Sequence, residues 1–202
     1  MLRLQRGLAA IAWRWRCRRA ALDARRVTLA ALEAWPARRV LVVCYGNIYR
    51  SPFVAERLRQ ACGDTIQVRS GGFHPLQGRP SPERHIAASL NYGVDLAAHR
   101  SAVVGADDIK WADLVVLMDR HNWQSLMQMG AHPDRFVWLG ALDGGPVEIP
   151  DPYTMGDAEA EAVLRRLSTC SGRLAGKLDT LPSRAADAAI SARTGAGATR
   201  GG

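Results

Sequence analysis

Cys44 and Arg50 stand six residues apart, with Ser51 directly after, and side chains of these types at this spacing can do phosphorus chemistry. A thiolate is a strong nucleophile. A guanidinium offers a planar fork that can hold two equatorial oxygens of a phosphoryl group and follow them into the transition state. The loop Cys44-Tyr45-Gly46-Asn47-Ile48-Tyr49-Arg50-Ser51 follows the apolar run Val40-Leu41-Val42-Val43. Through Pro52 it enters a stretch of helical periodicity marked by Val54, Leu58 and Ala61. A loop that leaves a strand and opens a helix turns its backbone N–H groups toward one point, with the positive end of the helix behind them. Gly46 and Asn47 are the residue types that best tolerate a left-handed turn, so the loop can wrap an anion. Those donors, together with Arg50, favour the thiolate at Cys44. Ser51 can donate to the same sulfur and help it leave in a second step.

The elements that must position this loop alternate along the chain. Strands are expected at 40–43, at 65–69 where Ser70-Gly71-Gly72 would end it, at 113–118 and at 135–139. Helices are expected at 51–62, at 81–91 closed by Gly93, at 120–129 and at 157–178. The last of these carries Val163, Leu164, Leu167, Cys170, Leu174 and Leu178 on one face. Fully apolar strands separated by helices indicate an α/β fold of three layers, a four-stranded parallel sheet flanked by helices. Ligands in such sheets bind at the carboxyl ends of the strands, which is where Cys44 falls.

Composition narrows the function classes. The formal charge of +8 over 202 residues comes from residues 1–39, which hold ten Arg against Asp23 and Glu33 and leave 17 bases and 17 acids in the rest. The body is therefore neutral, and no nucleic-acid partner is expected. Leu4, Leu8, Ile11, Trp15, Leu22, Leu29 and Leu32 recur at helical spacing among those arginines, so residues 1–38 read as a basic extension, helical or disordered, able to touch a membrane surface. Residues 39–181 read as the catalytic domain. The tail 182–202, rich in Ala, Gly, Ser and Thr, reads as disordered. Cys17, Cys44, Cys62 and Cys170 have no close pairing, so no metal, cofactor or disulfide framework is called for and a cytoplasmic setting is expected. His74, His85, His121 and His132 show no ligand spacing and read as surface residues.

The run from Val40 to Pro52 resembles the signature of the low-molecular-weight protein tyrosine phosphatase family. Asp113-Leu114-Val115-Val116-Leu117-Met118-Asp119-Arg120 resembles its third strand, and Asp151-Pro152-Tyr153 its acid loop, in the family's order over about residues 38–180. The resemblance implies that Cys44 is the nucleophile and Asp151 the general acid. It also implies that Tyr153 is an aromatic wall for the substrate ring and that His99 is a support for Asn47. Two departures stand out: Tyr49 where the family usually has a second, protective cysteine, and Thr154 where it usually has a second tyrosine. Tyr45 after the nucleophile is also unusual and would decorate the pocket rim.

Three enzymatic readings share this scaffold. Arsenate-reductase relatives need further cysteines to relay a disulfide, which Tyr49 and the distant Cys62 and Cys170 do not supply. Phosphoarginine phosphatases carry Thr where this chain has Ile48, and an apolar Ile favours a flat aromatic substrate. The expected reaction is hydrolysis of phosphotyrosine through a cysteinyl-phosphate, by a monomer acting on a phosphoprotein such as a bacterial tyrosine kinase. The resemblance associates such enzymes with exopolysaccharide regulation. The alternative of another class is a noncatalytic phosphoprotein-binding module or membrane-recruited adaptor, which would need neither Cys44 nor Asp151.

Overall fold

In a computed structural model of the 202-residue chain, the described residues are Trp15, 19–20 and 22–179. Most of the amphipathic run upstream of residue 22 and the whole tail 182–202 lie outside them. The sheet has four parallel strands, β1 (Arg39–Cys44), β2 (Gln67–Gly72), β3 (Leu114–Leu117) and β4 (Phe136–Trp138), in the spatial order β2-β1-β3-β4. Around it lie α1 (22–34), α2 (Arg50–Cys62), α3 (Glu83–Leu90), α4 (Ala106–Trp111), α5 (Arg120–Gln128) and α6 (Asp157–Asp179).

Strand β1 is apolar from Val40 onward because both its faces are covered there. Val40, Val42 and Cys44 point into a core shared with Phe53, Val54 and Leu58 of α2 and Leu164, Leu167 and Leu174 of α6. Leu41 and Val43 point the other way, to Val115, Leu117, Trp123 and Leu126. Burying each of these large side chains contributes about 1.5–3 kcal/mol. The Asp113 carboxylate fixes the start of β1, accepting from the Arg38 and Arg39 N–H groups at 3.0 and 2.9 Å and from the Arg39 side chain at 2.7 Å. These contacts hold the Asp113 carboxyl below its ordinary range although burial opposes the shift.

Two elements differ from expectation. Strand β2 continues through Ser70-Gly71-Gly72 instead of ending there. These glycines mark close approach, since a Cβ on Gly71 would stand 2.6 Å from Val104 Cγ2 and one on Gly72 2.6 Å from the Tyr45 carbonyl oxygen. Helix α4 is additional, opened by Gly105, whose N–H donates to the Asp108 carboxylate at 3.0 Å. The segment 22–34, part of the expected basic extension, forms α1 and buries Ala24, Thr28, Ala31 and Leu32. Thr28 Oγ1 accepts from the Trp138 N–H at 3.0 Å, and Arg25 donates to the carbonyls of Ala141 and Gly145. Helix α1 thereby covers β4, the edge strand, and occupies a backbone donor that the sheet leaves unused. Among the described residues no helix is long and apolar enough to cross a membrane.

Candidate active site

The loop between β1 and α2 is built around one left-handed residue. Asn47 has φ 50°, and its side chain makes that conformation specific. Its Oδ1 accepts from the Ala102 N–H at 2.8 Å, and its Nδ2 donates to Ser51 Oγ at 2.9 Å and Ser70 Oγ at 3.0 Å. The Asn47 carbonyl meets His99 Nε2 at 2.7 Å. Burial lowers the His99 pKa despite that bond, so the neutral ring donates its Nε2–H to the carbonyl. Ser51 Oγ accepts from Asn47, and its own hydrogen can go to the Cys44 sulfur, 3.0 Å away, or to the more distant Gly71 carbonyl at 3.4 Å. The Asn47 N–H donates to the same sulfur at 3.2 Å. No side chain caps the N-terminus of α2 and no carboxylate lies in its first turn, so that end of the helix keeps its pull on an anion.

Arg50 lies under the loop, 1% exposed. Its Nη1 donates to Asp119 Oδ2 at 2.6 Å and to the Ile149 carbonyl at 2.9 Å, and its Nη2 donates to Asp151 Oδ2 at 2.7 Å. Burial works against the guanidinium charge, but the Cys44 sulfur, Asp151 and Asp119 outweigh it and raise the pKa. Arg50 Nε, on the same edge as Nη2, is buried and finds no partner among the described residues, so one donor of the fork is unspent. Asp151 also receives the Tyr153 N–H on Oδ1 at 3.2 Å, which caps the short turn Pro152–Thr154.

Cys44, Tyr45, Gly46, Ile48, Tyr49, Asp151 and Tyr153 line one pocket, with His74 and Arg79. The aromatic rim is open, Tyr45 being 53% and Tyr153 60% exposed, and Tyr45 meets the His74 ring edge-on at 5.6 Å. Asn47, Ser51 and His99 hold the loop from below. Of the candidate site residues, Asn47, Arg50, Ser51 and His99 do not line the pocket; Asn47 and Ser51 touch the Cys44 sulfur, Arg50 holds Asp151, and His99 meets the Asn47 carbonyl.

Several neighbours were not singled out. Asp119 is the buried counter-charge of Arg50 and also caps α5, accepting the Asn122 N–H at 2.9 Å. Its position just past a parallel strand and at a helix start was the available signal. Arg79 donates to the Gly46 carbonyl at 2.6 Å. His85 corrects the reading of the unassigned histidines as surface residues: it is 2% exposed, its Nε2 lies 3.0 Å from the Tyr49 carbonyl, and its ring is 4.1 Å from the Tyr49 ring. Burial, only partly opposed by that hydrogen bond, pushes the His85 pKa down to about 4 from 6.5.

The sign of the consequence follows from proton binding. Between pH 6.5 and 4 the unfolded chain protonates this histidine and the folded chain does not, so stability falls as pH falls through that window. At about 1.4 kcal/mol per pKa unit the loss from this site is about 3 kcal/mol. Urea-unfolding free energies at pH 7 and pH 4.5 should show a drop of this order, and His85→Gln should flatten it. An equal slope in the variant would exclude His85 as the cause.

The family profile described as low molecular weight phosphotyrosine protein phosphatase matches residues 39–183. The low molecular weight protein-tyrosine-phosphatase Etp of Escherichia coli (strain K12) is 30% identical over 139 residues, 69% of this chain and 93% of its own. Wzb of the same strain is 32% identical over 114 residues, 56% of this chain and 77% of its own. Among solved structures, the tyrosine phosphatase Wzb from Escherichia coli K30 in complex with sulphate superposes with a TM-score of 0.65 at 27% identity, covering 70% of this chain and 99% of that one. The YwlE arginine phosphatase from Geobacillus stearothermophilus superposes with a TM-score of 0.64, also at 27% identity, covering 71% and 94%. Likeness of fold alone does not separate the two activities.

Proposed function

We propose, for a chain that belongs to the low molecular weight phosphotyrosine protein phosphatase family, that it hydrolyses phosphotyrosine with Cys44, Arg50 and Asp151 as its working groups. The observation that carries these assignments is the set of donors on the Cys44 sulfur, Ser51 Oγ at 3.0 Å and Asn47 N at 3.2 Å, in a pocket that Asp151 also lines. The thiolate attacks phosphorus in line, and the phosphoryl oxygens take up the loop N–H groups and Arg50, whose Nε is unspent. The bound dianion competes with Asp151 for Arg50. Freed and protonated, Asp151 gives its proton to the departing phenolate. In the second step the same carboxylate takes a proton from water as it attacks the cysteinyl-phosphate, and the Ser51 hydroxyl steadies the sulfur as it leaves.

Ile48, Tyr45 and Tyr153 present apolar and aromatic walls to a phenyl ring, which supports tyrosine over arginine as the residue dephosphorylated. The substrate is then a phosphotyrosine protein such as a tyrosine kinase, and a reducing, cytoplasmic setting suits a free thiolate. The catalytic unit is placed at 39–181.

Turnover of a phosphotyrosine peptide against the same peptide carrying phosphoarginine tests the substrate, and faster phosphoarginine turnover would reverse the reading. Asp151→Asn tests the acid. Its kcat/KM should fall about 100-fold or more for phenyl phosphate, whose leaving group has a pKa of about 10. The fall should be much smaller for the ester of an acidic nitrophenol, which leaves without a proton. Equal losses on the two esters would remove Asp151 from that role.

A further inference from the structure

The Arg50–Asp151 contact joins the phosphate loop to the acid loop, but the mechanism requires that contact to open, because the substrate dianion takes Arg50 and Asp151 must turn to the leaving oxygen. Some other contact has to keep the acid loop in place at that moment. Tyr49 and Arg84 provide one. Tyr49, in the phosphate loop, is 3% exposed, and its hydroxyl accepts from Arg84 Nε at 2.8 Å. The other end of the same guanidinium reaches into the acid loop, with Nη2 donating to the Tyr153 carbonyl at 2.6 Å and Nη1 to the Met155 carbonyl at 3.2 Å. Arg84 sits on α3. Its neighbour His85 also holds Tyr49, through the Tyr49 carbonyl and ring. The Tyr153 ring closes edge-on against Tyr49, centroids 6.3 Å apart at 89°.

We infer that Arg84 is a positioning residue that clamps the acid loop to the phosphate loop through the Tyr49 hydroxyl and the carbonyls of Tyr153 and Met155. The inference rests on the phosphatase reading for its kinetic consequence, though not for its structural one. Two features fit arginine and no other side chain: the fork supplies donors at both ends, and three acceptors from two loops take them without a carboxylate. Because its acid-loop acceptors are backbone carbonyls, the clamp leaves the Asp151 carboxyl free to move between Arg50 and the leaving group. The loop backbone stays fixed as it does so. A slack acid loop costs most where protonation matters most, since small misplacement of a catalytic group is expensive.

The test uses the full chain with Arg84→Ala, Tyr49→Phe and the double variant, each compared with wild type on phenyl phosphate and p-nitrophenyl phosphate. With Arg84→Ala, kcat/KM for phenyl phosphate should fall about 10-fold, while that for p-nitrophenyl phosphate stays within about 3-fold. Tyr49→Phe should give a smaller loss of the same kind, and the double variant should lose less than the product of the two single losses, as residues sharing one interaction do. Equal losses on both esters, or none, would overturn the clamp. Hydrogen exchange over residues 151–156 gives a readout independent of turnover. It should be several-fold faster in Arg84→Ala, and unchanged exchange there would overturn the clamp whatever the kinetics. An inactive wild type would instead overturn the phosphatase reading, and the exchange measurement would still decide the clamp.

Discussion

Cys44→Ser should reduce phosphomonoester turnover by at least about 10⁴-fold while the protein keeps its fold and its affinity for inorganic phosphate. The groups that touch the sulfur are donors, the Asn47 N–H and the Ser51 hydroxyl. Such a site suits a sulfur nucleophile, since a thiol gives up its proton far more readily than an alcohol. It offers no base to a serine hydroxyl, which must lose its proton during attack. Binding should survive because the loop N–H groups, the α2 terminus and Arg50 do not depend on sulfur, and the change is nearly isosteric at a buried position. Single-turnover assays with a phosphotyrosine peptide, together with calorimetric phosphate binding, check both halves. Residual activity near one percent of wild type would mean that Cys44 is not the nucleophile. Loss of phosphate affinity would mean that the sulfur helps to shape the loop itself.

The features legible in the sequence are the contiguous ones. The strand, loop and helix from Val40 to Cys62 carry their geometry in local residue types, and the phosphate loop is nearly complete within eight residues. The parallel sheet was legible because two covered faces demand unbroken apolar runs. Asp119 was not legible as a partner of Arg50, because the ion pair joins residues 69 positions apart and an aspartate after a strand reads equally well as a helix cap, which it also is. Gly71 and Gly72 read as a turn because a glycine required by the nearness of Val104 and Tyr45 looks the same in sequence as one required by φ. His85 reads as a surface residue because nothing local to the short helix α3 marks it for burial. Its burial comes from Tyr49 and Phe53 packing over it, and neither contact is local. Tyr49 was visible as a departure, but its partner Arg84 was not, since arginine on an exposed helix face is the commonest of observations.

Arg50 should separate the stability of the site from its chemistry. Arg50→Lys keeps the charge but replaces a fork with a point, so it cannot hold Asp119, the Ile149 carbonyl and two phosphoryl oxygens in fixed directions. Turnover should fall about 100-fold or more, with the fold largely retained. Arg50→Met should cost about 3–5 kcal/mol of stability, because it strands the Asp119 carboxylate, 8% exposed, without its counter-charge. Asp151 suffers less, its side chain being 35% exposed and able to turn toward water. Adding Asp119→Asn to Arg50→Met removes the stranded charge yet keeps the cap on the Asn122 N–H, since asparagine caps as well as aspartate. The double variant should therefore regain about 2 kcal/mol in urea unfolding while remaining inactive. A double variant no more stable than Arg50→Met alone would show that the loss came from the cavity and not from the charge. Recovered turnover would show that phosphoryl transfer at Cys44 does not run through Arg50.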